Sequence, residues 1–267
     1  MKIKILFEDK NLLVLDKPAG IAVHGDAKNT DKETVADFIL ENYPNIAKVG
    51  EQMVVEQGGK SINIPRPGIV HRLDRETSGV LVVAKNQKTF LDLKEQFQNH
   101  TIKKVYRAFV YGFVSDPKAS LATGGKGVIN VALGRSPTDI RMWTAGRGAR
   151  APLRDALTEY TVLERFTDTD QTSKKTETKS NIEHQFSYVE AYPKTGRTHQ
   201  IRVHMRYINH PVVSDPLYRG AKDYALGMKR LALHAYSITF RLANGEQKTV
   251  ESPLPVDFKK VIKTFLA

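Results

Sequence analysis

The chain has 267 residues, with 41 Lys plus Arg against 29 Asp plus Glu, a formal net charge of +12 and no cysteine. Without cysteine there are no disulfides, thiolate metal sites or cysteine nucleophiles, and the basic excess favours a polyanionic partner, nucleic acid ahead of a membrane surface. The apolar stretch Ile5-Leu6-Phe7 is cut by Glu8 and Asp9, and no run approaches the roughly 18 apolar residues of a membrane span, so a cytoplasmic protein with no membrane partner is expected.

Short apolar runs at residues 3–7, 12–15, 80–84, 106–110, 160–163, 188–191 and 237–240 carry β-branched or aromatic residues between polar or turn residues. Each is a predicted strand. Helical spacing is rarer. Residues 34–43 set Val35, Ile39 and Leu40 on one side, and residues 89–97 do the same with Phe90, Leu93 and Phe97. Residues 198–208 align Ile201, Met205 and Ile208, and residues 258–266 close the chain with a fourth helix. Strands outnumber helices without strict alternation, which predicts an α+β fold around a mixed, largely antiparallel sheet. One compact domain over residues 1–267 is expected. Two segments break the pattern. Residues 167–184 are almost wholly polar and are predicted as an insertion or hairpin tip. Residues 134–156 carry Arg135, Arg141, Arg147, Arg150 and Arg154 together with the sole tryptophan, Trp143, and are predicted to be an irregular, phosphate-gripping loop.

Several short motifs fail on spacing. "GGKS" at 58–61 has Val54 where a phosphate-cradling loop needs glycine, so it is predicted to be a turn. "HRLD" at 71–74 lacks the companion motifs of a kinase, and "DRETSG" at 74–79 has no second loop to share a proton with, as an aspartic protease requires. His199 and His204 are five residues apart, not the four that align zinc ligands on a helix, so no metal is expected.

What remains is "GIVHRLDRETSGVLVVAK" at 68–85, in which Asp74 stands between Arg72 and Arg75, and the acid-free segment "PKTGRTHQIRVHMR" at 193–206. With Thr198 as cap, His199, Arg202 and Arg206 share one stripe of the second segment's helix, which invites pairing one of its guanidiniums with Asp74. A carboxylate beside opposite charge stays ionised, a poor general base but a persistent nucleophile or electrostatic stabiliser. Metal hydrolysis or acid–base glycosidase chemistry would want more than one carboxyl.

"HRLDRETSG" followed by "VLVVAK" resembles the signature of the RluA family of RNA pseudouridine synthases. "LFEDKNLLVLDKPAGIAVHG" (6–25), "KKVYRAFVYG" (103–112), "TGRTHQIRVH" (195–204), "HPVVSDPLYRG" (210–220) and "RLALHAYSITF" (230–240) resemble further family segments in the same order. The resemblance implies the pseudouridine synthase fold and isomerisation of uridine in structured ribosomal or transfer RNA, without cofactor or metal. It implies Asp74 as the catalytic aspartate, Tyr106 against the target base, Arg202 paired with Asp74, Arg72 displacing the target nucleotide and Leu233 lining the uracil pocket. Arg141, Arg147 and Arg150 are the expected RNA contacts outside that pocket. Two departures stand out: no separate RNA-binding domain precedes the opening motif, and Ser214 occupies the usual glycine of a segment that also carries an extra Arg219. A monomer is expected. The competing reading is a non-catalytic basic RNA-binding or ribosome-assembly module, which has no physical need to enclose Asp74.

Overall fold

The computed structural model describes residues 2–25, 33–114, 125–169 and 183–266. In chain order they form β1 (Lys4–Glu8), β2 (Leu12–Lys17), α1 (Val35–Asn42), β3 (Met53–Gln57), β4 (Lys60–Ile64), β5 (Ser78–Ala84), α2 (Gln87–Gln98) and β6 (Lys103–Tyr111). There follow β7 (Lys126–Asn130), β8 (Leu133–Arg135), β9 (Trp143–Ala145), β10 (Arg150–Arg154), β11 (Leu157–Thr169) and β12 (Glu183–Pro193). The described chain ends with α3 (Gln200–Tyr207), β13 (Leu233–Arg241), β14 (Gln247–Glu251) and α4 (Val256–Phe265). The fold is α+β. The chain divides into two compact units: Met1–Lys104 with Ala235–Pro253, and Val105–His234 with Leu254–Ala267.

In the first unit β2 lies between β1 and β5, antiparallel to both, with Leu13 opposite Val83 and Leu15 opposite Leu81. β14 pairs antiparallel with β13, Ile238 facing Val250. All seven residues of β5 are buried, which explains its unbroken apolar run in place of an alternation. Val14, Val80 and Val82 pack with Phe90 and Leu93 of α2 and with Ile238 and Phe240, and each such side chain contributes about 1.5–3 kcal/mol on burial. Thr34 caps α1 in a reciprocal box with Asp37, and Asn86 caps α2 by accepting from the Thr89 amide. "GGKS" is the turn expected: Gly58 and Gly59, both at positive φ, join β3 to β4.

In the second unit β12 lies between β6 and β11, and β7 pairs with β11, all antiparallel. Its core is aromatic, with Phe109 packed on Tyr188 at 4.8 Å and on Phe258 of α4 at 5.1 Å between ring centroids. The expected irregular loop at 134–156 is instead a three-stranded antiparallel sheet, ordered β10-β8-β9. The strands are three to five residues long, too short for an alternation to show. The ends of the expected insertion are also strand, since Thr167 pairs with Gln185 and Asp168 with His184. Residues 170–182 lie outside the described residues.

Candidate active site

The loop carrying Asp74 belongs to the first unit and is pinned on both sides. Gly68 has φ +64, and a Cβ there would lie 2.1 Å from the Ala84 carbonyl oxygen, so only glycine lets the incoming chain cross the end of β5. Gly79 has φ +118 and stands as close to the Ala235 carbonyl of β13. Between them, His71 Nε2 accepts the Val82 amide hydrogen at 2.9 Å, and its ring stacks on Phe97. Burial, with Lys104 nearby, lowers the His71 pKa to about 3 and keeps the ring neutral, as an acceptor must be. Burial lowers the Lys104 ammonium to about 8.

The turn itself hangs on Lys17, at the end of β2 and wholly buried. Its Nζ donates to the carbonyl oxygens of Pro18, Ile21 and Arg75 at 2.9, 2.8 and 3.0 Å. The Arg75 carbonyl also accepts from the Gly20 amide, and Arg75 Nε returns a bond to the Gly20 carbonyl, both at 2.9 Å. Thr77 closes the turn onto the Asp74 carbonyl at 3.1 Å. This geometry corrects the expectation that the flanking arginines enclose Asp74. Arg75 is spent on Gly20 and, at 3.7 Å, on Glu76, while exposed Arg72 has no hydrogen-bond or ion-pair partner among the described residues. Asp74 is half-buried.

In the second unit, Tyr106 lies on β6 opposite Ala191, half-buried against the aromatic core, and Leu233 opens β13 within that core. Thr198 does not cap α3; the cap is His199 in the left-handed region, φ 57, without a side-chain cap. The stripe is split: Arg206 is exposed, but Arg202 is not. Arg202 is 3% exposed, and its Nε and Nη2 donate to the two carboxylate oxygens of Asp215 at 2.7 and 2.8 Å. Asp215 also accepts from the amides of Leu217 and Tyr218, and the Arg202 guanidinium lies 4.9 Å from the Tyr218 ring centre. The Trp143 amide donates to the Tyr218 hydroxyl, which lies 2.8 Å from His199 Nδ1. His204 spends its two ring nitrogens on Thr158 and the Val131 carbonyl. A two-pronged buried pair thus fixes the guanidinium plane of Arg202.

The three arginines expected to grip RNA differ in what they hold. Arg141 forms a forked pair with Asp139, and Arg150 donates to the Pro137 carbonyl. Arg147 has no partner among the described residues. Trp143 is buried beneath Arg135, whose guanidinium lies 4.7 Å from its ring centre.

A sequence model of the family described as RNA pseudouridylate synthase matches residues 11–207, which include the Asp74 turn and all of α3. The chain belongs to the RNA pseudouridylate synthase family. It is 34% identical over 273 residues to ribosomal large subunit pseudouridine synthase D of Xanthomonas campestris, covering 97% of this chain and 68% of that protein. It is 35% identical over 269 residues to the protein of the same name from Neisseria meningitidis serogroup B, covering 96% and 59%. An uncharacterized RNA pseudouridine synthase of Synechocystis is 32% identical, covering 97% and 67%. The chain thus spans about two thirds or less of these relatives. In fold it resembles human RNA pseudouridylate synthase domain containing 1, with a TM-score of 0.67 at 23% identity over 95% of this chain and 84% of that one.

Seen as a pseudouridine synthase, the chain's departure at Ser214 has a local explanation. Ser214 has φ 56, a conformation glycine adopts freely, and its buried Oγ donates to the Met228 carbonyl at 2.8 Å. The extra Arg219 lies 4.6 Å from the Tyr224 ring centre. Sequence reasoning missed Lys17, His71, Asp215 and Tyr218. Each lies inside a segment that carried the family resemblance, but Lys17 and Asp215 read as surface charges until their burial is known.

Proposed function

We propose that this chain isomerises uridine to pseudouridine in ribosomal RNA, in the cytoplasm and as a monomer, with Asp74 as the catalytic carboxylate. The observation that carries the reading is the Asp74 turn: a buried lysine, two obligate glycines and a neutral histidine all hold one half-exposed acid in place. A stabilising ion pair needs no such scaffold; a reacting group does. The names of the Xanthomonas and Neisseria relatives favour ribosomal over transfer RNA.

In this reading the N1–C1′ bond of the target uridine breaks, the freed uracil turns, C5 bonds to C1′ and loses its proton, and N1 takes up one, so the product is an isomer. Asp74 acts on the nucleotide as the bond breaks. Tyr106 packs on the base and assists removal of the C5 proton, Leu233 bounds the uracil pocket, and Arg72 helps displace the nucleotide from its helix. Arg202 is the guanidinium paired with Asp74 in this reading, and Asp215 sets its plane. Mapping pseudouridines across total RNA with and without the gene tests the proposal. Loss of modification at one or more ribosomal positions is expected; an unchanged map would refute it.

A further inference from the structure

The two basic segments that stood out in the sequence, 134–156 and 193–206, meet at one place in the second unit. A cleft of about 330 Å³ opens between the small sheet and α3, lined by residues of 136–148 and by Val203, Arg206 and Tyr207. Arg147 and Arg206 both line it, both are exposed, and neither guanidinium has a hydrogen bond or ion pair among the described residues. Their neighbours are already used: Arg141 on Asp139, Arg150 on Pro137, Arg197 on the Asp155 carbonyl. Among the described residues no carboxylate lines the cleft, so its two cations have no compensating charge in its lining.

The rest of the lining narrows the ligand. Tyr207 is 49% exposed and Met142 half-buried, a flat ring and a polarisable side chain against which a base can lie. Thr144 offers a hydroxyl with no partner among the described residues, able to donate or accept at a base edge. The volume stands near the lower end of the roughly 300–1,000 Å³ typical of small-ligand pockets, which suits one nucleotide and not a longer segment. Proteins read RNA sequence mostly at bases splayed out of the helix, because the deep groove of the duplex hides its edges.

We infer that this cleft holds one unpaired nucleotide of the RNA substrate, distinct from the uridine being isomerised, with its phosphate between Arg147 and Arg206 and its base against Tyr207. The inference rests on the proposed function and deepens it, making the cleft a place where the enzyme selects its RNA.

The test uses the full chain and a ribosomal RNA fragment that wild type modifies. The Arg147→Ala/Arg206→Ala variant should bind this RNA about tenfold more weakly, with a log–log salt slope shallower by about 0.7 for the one phosphate no longer neutralised. Lys259→Ala/Lys260→Ala, which removes the same charge from the exposed side of α4, should bind like wild type. Tyr207→Ala should cost about tenfold in affinity as stacking disappears, and Tyr207→Phe should retain it. Circular dichroism confirms folding. Equal affinity in the arginine variant and its α4 control, or a Tyr207→Phe loss as large as Tyr207→Ala, would overturn the inference. Binding is measured apart from conversion. A wild type that makes no pseudouridine would therefore sink the proposed function, while these affinities would still judge the cleft.

Discussion

Lys17→Met removes a buried ammonium that donates to three carbonyl oxygens, and the consequence can be worked from those acceptors. Charge-assisted hydrogen bonds are worth about 1.5–3 kcal/mol each, but the ammonium also carries a desolvation cost of several kcal/mol that methionine does not bear. The Arg75 carbonyl keeps its bond from the Gly20 amide, so the lasting loss falls on the carbonyls of Pro18 and Ile21. Orphaning two buried acceptors costs about 1–3 kcal/mol each, partly offset by relief of the buried charge, for a net destabilisation of about 3 kcal/mol. In a chain of this size that lowers Tm by about 6–12 °C. Thermal unfolding followed by circular dichroism measures it. Turnover well below the new Tm should fall by about 100-fold, the scale of an ångström's misplacement at a reacting centre. A Tm within about two degrees of wild type together with full turnover would refute the view that Lys17 organises the Asp74 turn.

Two other perturbations follow from the same geometry. Arg202→Ala leaves the Asp215 carboxylate buried without its counter-charge, a loss of about 3–5 kcal/mol, whereas Arg202→Lys restores charge without the fork and should recover only part of stability and turnover; wild-type melting of Arg202→Ala would contradict this. His71 is held neutral, with its pKa lowered from 6.5 to about 3, so its contribution to stability is present above pH 6.5 and is lost as pH falls toward 3, where the unfolded chain takes up the proton first. His71→Gln, which can still accept the Val82 amide, should therefore show a shallower fall in denaturation midpoint across that window, and a parallel fall would argue against a buried neutral ring.

The seven predicted strands and four predicted helices all correspond to elements of the fold, because buried apolar runs and amphipathic turns act locally. The hairpin of β3 and β4, β7, β14 and the sheet β10-β8-β9 escaped because these short strands are specified by their partners more than by an apolar pattern of their own. The Asp74 turn was legible as a signature, yet its mechanics were not. Gly68 and Gly79 owe their identity to carbonyls of β5 and β13, and Lys17 to a carbonyl 58 residues away. Arg202 was legible in part: helical spacing put it on a basic stripe, but its burial against Asp215, 13 residues further on, was not readable there.

Asp74 is the residue proposed to perform the chemistry. Purified wild type and Asp74→Asn, incubated with the same ribosomal RNA fragment and assayed for pseudouridine by nucleoside mass spectrometry, test it directly. Pseudouridine is expected with wild type and none with Asp74→Asn, at comparable RNA affinity and Tm, since the amide keeps the shape of the carboxylate and loses its charge. Conversion by Asp74→Asn at anything near the wild-type rate would contradict it.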